Sequence, residues 1–110
     1  MTEQVQNELN IIIKTIAETG IASRIILFGS MARGDASHES DIDLCVLTPI
    51  KDRRPLDILI ELRQKLLGIK KMPLDLLTYN QECFESQAAR PKSFEYVINT
   101  EGVIVYERQS

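Results

Sequence analysis

The sequence predicts a small mixed α/β (α+β) domain, a short mixed sheet packed on helices. Three observations carry that expectation. Short apolar, β-branched runs alternate with stretches whose apolar residues recur at helical spacing. The first two runs are separated by only about a dozen residues, short for a parallel crossover, so they should be antiparallel. The segment between the second and third runs is long enough for a crossover helix, which predicts a parallel pair there.

Taken in order, Val5, Leu9, Ile12, Ile13 and Ile16 recur at helical spacing, between a possible cap at Thr2 and Gly20. This predicts a helix over residues 3–19. Arg24 to Phe28 is a short, continuous apolar run and reads as a buried strand, ended by Gly29-Ser30. Met31 to Gly34 allows no more than a turn of helix. Residues 35–40 are polar and read as a loop. Asp41 to Leu47 reads as a second strand, closed by Thr48-Pro49. Leu56, Leu59, Ile60, Leu62, Leu66 and Leu67 suggest a second helical face, with Pro55 near its start and Gly68 as its stop. Glu61 and Lys65 are spaced to pair across one turn. Pro73 to Tyr79 reads as a third strand, and Asn80 as the cap of a short helix. A further helix is expected after Pro91, ending near Gly102. Val103 to Tyr106 reads as a last short strand.

With 110 residues and no linker-like stretch or repeat, the expectation is a single domain over residues 1–110. The net charge is −3, so no global basic field attracts nucleic acid or an anionic membrane, and neither partner is expected. Cys45 and Cys83 belong to no CxxC or Cys/His cluster and carry no zinc or redox signal. No apolar stretch approaches a membrane span and no secretory leader is visible, which fits a cytoplasmic protein.

The stretch from Gly29 to Leu44 carries the chemistry. Side chains alternate along a strand, so Asp41 and Asp43 should share one face, with Cα atoms roughly 6.6 Å apart. Ile42 and Leu44 would point into apolar packing. Two carboxylates on one face of a buried strand repel and lose solvation, so positive charge must compensate. Mg²⁺ is the economical candidate, because it takes hard oxygen ligands from one or two carboxylates plus substrate phosphates. A pair of such ions would form a two-metal phosphoryl-transfer site. Gly29 at a strand end lets backbone N–H groups approach phosphate oxygens, and Ser30 adds a hydroxyl donor. Arg33 lies one turn away and could reach the phosphates bidentately. Each piece alone is ordinary: a Gly-Ser turn, an Asp-x-Asp strand edge, an Arg-Gly pair. The conjunction is informative. It is not a Walker A loop, because no Lys-Ser/Thr follows Gly34.

Gly29, Ser30, Ala32, Arg33, Gly34, Ser40, Asp41, Asp43 and Leu44 match a glycine-serine, alanine-arginine-glycine, serine-aspartate-x-aspartate-leucine pattern. This resembles the signature of the polymerase β-like nucleotidyltransferase superfamily. More narrowly, it resembles the minimal nucleotidyltransferases paired with small helical HEPN toxins. The resemblance implies the polymerase β-like fold over essentially the whole chain. It implies a third carboxylate on a neighbouring strand, for which Asp75 is the natural match, as general base or metal ligand. It further implies an enzyme that uses Mg²⁺ to transfer AMP from ATP to a tyrosine hydroxyl on a HEPN partner, the antitoxin of a toxin–antitoxin pair. Asp41, Asp43 and Asp75 would hold metal, and Gly29, Ser30 and Arg33 the phosphates. Two alternatives stand beside it. One is an antitoxin that acts by binding alone. The other is transfer to a small-molecule acceptor, which would need a further subunit to complete the pocket. A site this open implies an oligomer or hetero-complex, with an apolar patch around the C-terminal helices as the interface.

Other residues carry weaker signals. His38 lies in the polar loop, where an exposed histidine without a role is the plainer reading. Lys51, Arg53 and Arg54 could steer a triphosphate, but a solvated helix start accounts for them, and Lys70-Lys71 is similar. Phe84, Phe94, Tyr96, Val97 and Ile98 are expected to pack the C-terminal helices on the sheet or to face a partner in part.

Overall fold

The computed structural model describes residues 2–34, 41–69 and 72–108. Nine elements follow in order: α1 (Glu3–Glu18), β1 (Arg24–Phe28), α2 (Ser30–Arg33), β2 (Ile42–Thr48), α3 (Pro55–Leu66), β3 (Leu74–Asn80), α4 (Gln81–Ala88), α5 (Phe94–Glu101) and β4 (Val103–Glu107). The strands form one mixed sheet in the order β3-β2-β1-β4. β1 and β2 are antiparallel, as are β1 and β4, while β2 and β3 are parallel. The expected α+β class and both expected strand pairings are therefore present. The predicted loop at residues 35–40, with His38, and the Lys70-Lys71 pair lie outside the described residues.

Alternation along the strands gives the sheet two apolar faces. Ile25, Leu27, Ile42, Leu44, Val46 and Leu76 point to one face, where α1 packs Val5, Leu9, Ile12 and Ile16. α3 adds Ile58, Leu62 and Leu66 to the same core. Full burial of side chains of this size contributes about 1.5–3 kcal/mol each. On the other face, Ile26, Cys45 and Leu47 meet Phe84 and Ala88 of α4 and Ile98 of α5. Asp43 and Asp75 belong to this second face by register.

The local signals behave as their chemistry dictates. The Thr2 hydroxyl accepts from the Val5 N–H at 3.2 Å and starts α1. The Asn80 side chain accepts from the Glu82 and Cys83 N–H groups and starts α4. Gly20 and Gly68 follow their helices at positive φ. Three expectations need correction. The buried stripe of α3 is Ile58, Leu62 and Leu66, whereas Leu56, Ile60 and Leu67 are exposed. The helix rests on β3 and α1 from one side only, so a narrow i, i+4, i+8 stripe suffices. Glu61 also does not pair with Lys65. It accepts from Arg53 at 2.7 Å, because the loop before α3 folds back over the helix. β2 and β3 each begin one residue later than expected, at Ile42 and Leu74.

No helix among the described residues is long and apolar enough to cross a membrane.

Gly102 is held by packing rather than by its backbone angle. A Cβ there would stand 2.4 Å from the Ile98 carbonyl oxygen and 2.5 Å from Cγ2 of Ile26. Gly102→Ala is therefore expected to destabilise the fold by about 1–3 kcal/mol, as overpacking does. Urea unfolding checks it, and an unchanged midpoint would refute the tight α5–β1 contact.

Candidate active site

The site is built where β1 ends and β2 and β3 begin. In the parallel ladder Asp43 lies directly opposite Asp75, and across the antiparallel pair Asp43 lies opposite Phe28. Phe28, Asp43 and Asp75 therefore form one row across the sheet, on the face covered farther along by α4 and α5. Neighbouring strands are about 4.8 Å apart, which brings the two carboxylates into contact. The Asp75 side chain lies within hydrogen-bonding reach of Asp43 and favours the protonated form of Asp43.

Gly29 closes the row from the side. Its φ is +78°, in the region that favours glycine, and a Cβ there would stand 2.2 Å from Oδ2 of Asp43. The backbone of β1 thus approaches the carboxylate as closely as only a glycine allows. Ser30 begins the single turn α2, which ends at Arg33 with Gly34 at positive φ. Met31 anchors the turn in the core beneath.

The electrostatics are those of crowded negative charge. The Asp43 pKa is pushed up to about 6, first by burial, then by the hydrogen bond and charge of Asp75, then by the charge of Asp41. The Arg33 guanidinium pulls it back down, so Arg33 does face the carboxylates electrostatically.

Asp41 is placed differently from the expectation of two strand carboxylates. It precedes β2 by one residue and is exposed. It acts on Asp43 through its charge. Among the described residues, no three His, Cys, Asp or Glu side chains form a cluster able to hold a metal ion unaided. Among the described residues two carboxylates, Asp43 and Asp75, come together, with Asp41 standing off.

Asp43 and Asp75 open onto a cavity of about 390 Å³ lined also by Phe28, Arg63, Leu77 and Phe94. Phe94 stands edge-on to Phe28, with ring centroids 6.0 Å apart and planes at 82°. α5 is fixed in that position by the Tyr79 hydroxyl, which donates to Oε2 of Glu95 at 2.8 Å. Burial and that carboxylate raise the Tyr79 pKa well above its usual value. The sequence marks Phe94 as packing or as part of a partner face and does not mark Arg63, because the cavity is formed by elements distant in sequence.

The basic cluster lies elsewhere. Lys51, Arg53 and Arg54 follow the C-terminal end of β2, while Asp43 is near its start. They are paired with Glu82, Glu61 and Asp57. They are the solvated helix start, not a funnel to the carboxylates.

A family model described as the nucleotidyltransferase domain matches residues 9–100. The chain belongs to that family. A relative from Methanocaldococcus jannaschii, provisionally named protein adenylyltransferase MJ0604, is 33% identical over 87 residues, which cover 79% of this chain and 81% of the relative. The crystal structure of a provisionally named nucleotidyltransferase from Sulfolobus solfataricus superposes with a TM-score of 0.65 at 21% identity, covering 93% of this chain and 79% of that one. The fold is thus that of nucleotidyltransferases. A toxin–antitoxin crystal structure with AMP-PNP gives a TM-score of 0.49 at 22% identity, covering 94% of this chain and 75% of that one. Members of the nucleotidyltransferase family use a nucleoside triphosphate and a divalent metal.

The raised Asp43 pKa makes a prediction about stability. An acid whose pKa is higher in the folded than in the unfolded chain loses stability as pH rises between the two values, here from about 3.8 to about 6. Asp43→Asn removes that loss. With Asp43 only partly buried, the expected gain at pH 7 is on the order of 1 kcal/mol. At pH 3.5 the gain should vanish. Thermal unfolding at the two pH values measures it, and a destabilised Asn variant at pH 7 would refute the crowding.

Proposed function

We propose that this nucleotidyltransferase moves AMP from ATP, with Mg²⁺, to a hydroxyl of a partner protein. The observation that carries the reading is the Asp43–Asp75 pair set against the backbone of Gly29. Two facing carboxylates repel unless a cation or a proton lies between them, and the glycine keeps that place open on the side where a triphosphate would approach. The chemistry of the donors fits Mg²⁺, which is held by one or two carboxylates and completes its shell with phosphate oxygens and water.

Asp43 and Asp75 would hold the metal, with Asp41 as an outer carboxylate. The metal supplies charge neutralisation on the phosphates when it is bound. The remaining steps belong to the chain. Backbone N–H groups at Gly29 and the Ser30 hydroxyl would donate to the β- and γ-phosphates, and Arg33 would add a guanidinium. The acceptor oxygen forms a bond to the α-phosphorus as the bond to the pyrophosphate oxygen breaks. Pyrophosphate leaves with that electron pair. Asp75 is exposed, next to the cavity, and would take the hydroxyl proton. Catalysis of this kind is positioning and electrostatic preorganisation.

The name of the M. jannaschii relative supports AMP as the transferred group and a protein as the acceptor. The motif resemblance supports a tyrosine on a HEPN-type toxin, with this chain as its cytoplasmic antitoxin. Phe94, Tyr96 and Val97 on α5 and Val103 and Ile104 on β4 are exposed apolar residues. Together with the open edge of β4 they would receive that partner.

Titration calorimetry of ATP with Mg²⁺ tests the site. Wild type should bind, and Asp43→Asn should weaken binding at least tenfold. Label transfer from α-³²P-ATP to a co-purified HEPN partner tests the reaction, and removing Asp43 or Asp75 should slow it by about 100-fold or more. Metal-independent binding that Asp43→Asn leaves intact would refute the reading.

A further inference from the structure

We infer that the cavity beside Asp43 and Asp75 is the acceptor side of this site, and that Arg63 selects an acceptor hydroxyl flanked by acidic residues. The inference rests on the transfer reading above and names which acceptor the site prefers.

The sheet order separates two sides of the carboxylate row. Gly29 and Ser30 lie at the end of β1, on one side of Asp43. Asp75 lies on β3, the edge strand on the other side. α3 packs along that edge, and Arg63 from its last turn lines the cavity. Two strand spacings, about 10 Å, separate β1 from β3. A triphosphate held at Gly29 and an acceptor entering beside Arg63 would therefore reach the carboxylates from opposite sides, as an in-line displacement requires.

The lining states what fits. Phe28, Phe94 and Leu77 give an apolar surface with one aromatic edge, which suits a flat side chain. A volume of about 390 Å³ is at the low end of ligand-sized cavities, roughly 300–1,000 Å³, so it takes one side chain and little more. Among the described residues Arg63 is the only cation in the lining, and it is exposed. Were a metal to neutralise the carboxylate row, the Arg63 guanidinium would add positive potential on this side of the cavity. It favours a carboxylate next to the reacting residue and disfavours a lysine.

The test uses two fluorescein-labelled peptides, each with a single tyrosine, one flanked by glutamates and one by lysines. Binding is read by anisotropy on the full chain loaded with Mg²⁺ and α,β-methylene-ATP. Wild type is expected to prefer the glutamate peptide by about three- to tenfold. Arg63→Glu should reverse that order and leave the affinity for the ATP analogue unchanged. Phe94→Ala should weaken both peptides and keep the preference. Because Arg63 is exposed, its variant is expected to fold, which circular dichroism checks. The same peptide order in Arg63→Glu, loss of ATP-analogue affinity in that variant, or no peptide binding by wild type would each overturn the inference. Peptide binding that depends on Arg63 without label transfer from α-³²P-ATP would instead remove the transfer reading and leave the acidic-peptide site standing.

Discussion

Asp43 faces Asp75 across two parallel strands, and the site is arranged around the repulsion between them. A sheet ordinarily places apolar or oppositely charged pairs at such positions. Here the neighbouring rows obey that rule: Leu44 faces Leu76 and Cys45 faces Leu77. The carboxylate row sits at the strand ends, beyond the core under α4 and α5, with Phe94 at the start of α5 standing against Phe28. Gly29 presses its backbone against Asp43, and Met31 holds the following turn in the core. The price is an Asp43 that binds a proton near pH 6, a cost that folding meets elsewhere. Such a placement is consistent with a function that supplies the missing positive charge.

The rest of the fold fixes that row in space. α1 and α3 brace one face with aliphatic side chains that are almost wholly buried. On the other face Phe84 fills the space beneath α4, and Tyr79 meets it edge-on with ring centroids 5.3 Å apart. Tyr79 also ties down α5 through Glu95, and α5 presents Phe94 to the cavity. A packing residue, a hydrogen bond and a wall of the cavity thus form one chain of contacts. The two cores differ in kind. The α1/α3 side is broad and aliphatic, while the α4/α5 side is smaller, aromatic and half open, and the candidate site lies at the edge of the second.

Much of this was legible in the sequence. Helix caps at Thr2 and Asn80, the stop at Gly68, and the strand runs are local signals, and local chemistry decided them. The dozen residues between β1 and β2 and the helix-length spacer before β3 were enough to give both strand directions. The motif from Gly29 to Asp43 marked the site, and Asp75 was found through the resemblance and not through its spacing. What the sequence did not show is tertiary. The inward stripe of α3 depends on what the helix rests upon, so Leu56 and Ile60 looked as apolar as Ile58. Asp41 shares the parity of Asp43, but the strand begins after it, so it is exposed and only its charge reaches the pair. The cavity joins Phe28, Arg63 and Phe94 from β1, α3 and α5, and no spacing rule connects them.

The proposed role of the Asp43–Asp75 pair is to hold a cation against a triphosphate at Gly29 and Ser30. The most direct measurement is a crystal structure of the chain with Mn²⁺ and α,β-methylene-ATP, with the metal located by its anomalous signal. An anomalous peak is expected within coordination distance of Asp43 and Asp75, with triphosphate oxygens against Gly29 and Ser30. Metal bound away from both carboxylates, or a triphosphate seated beside Lys51 and Arg54 at the far end of the sheet, would contradict it.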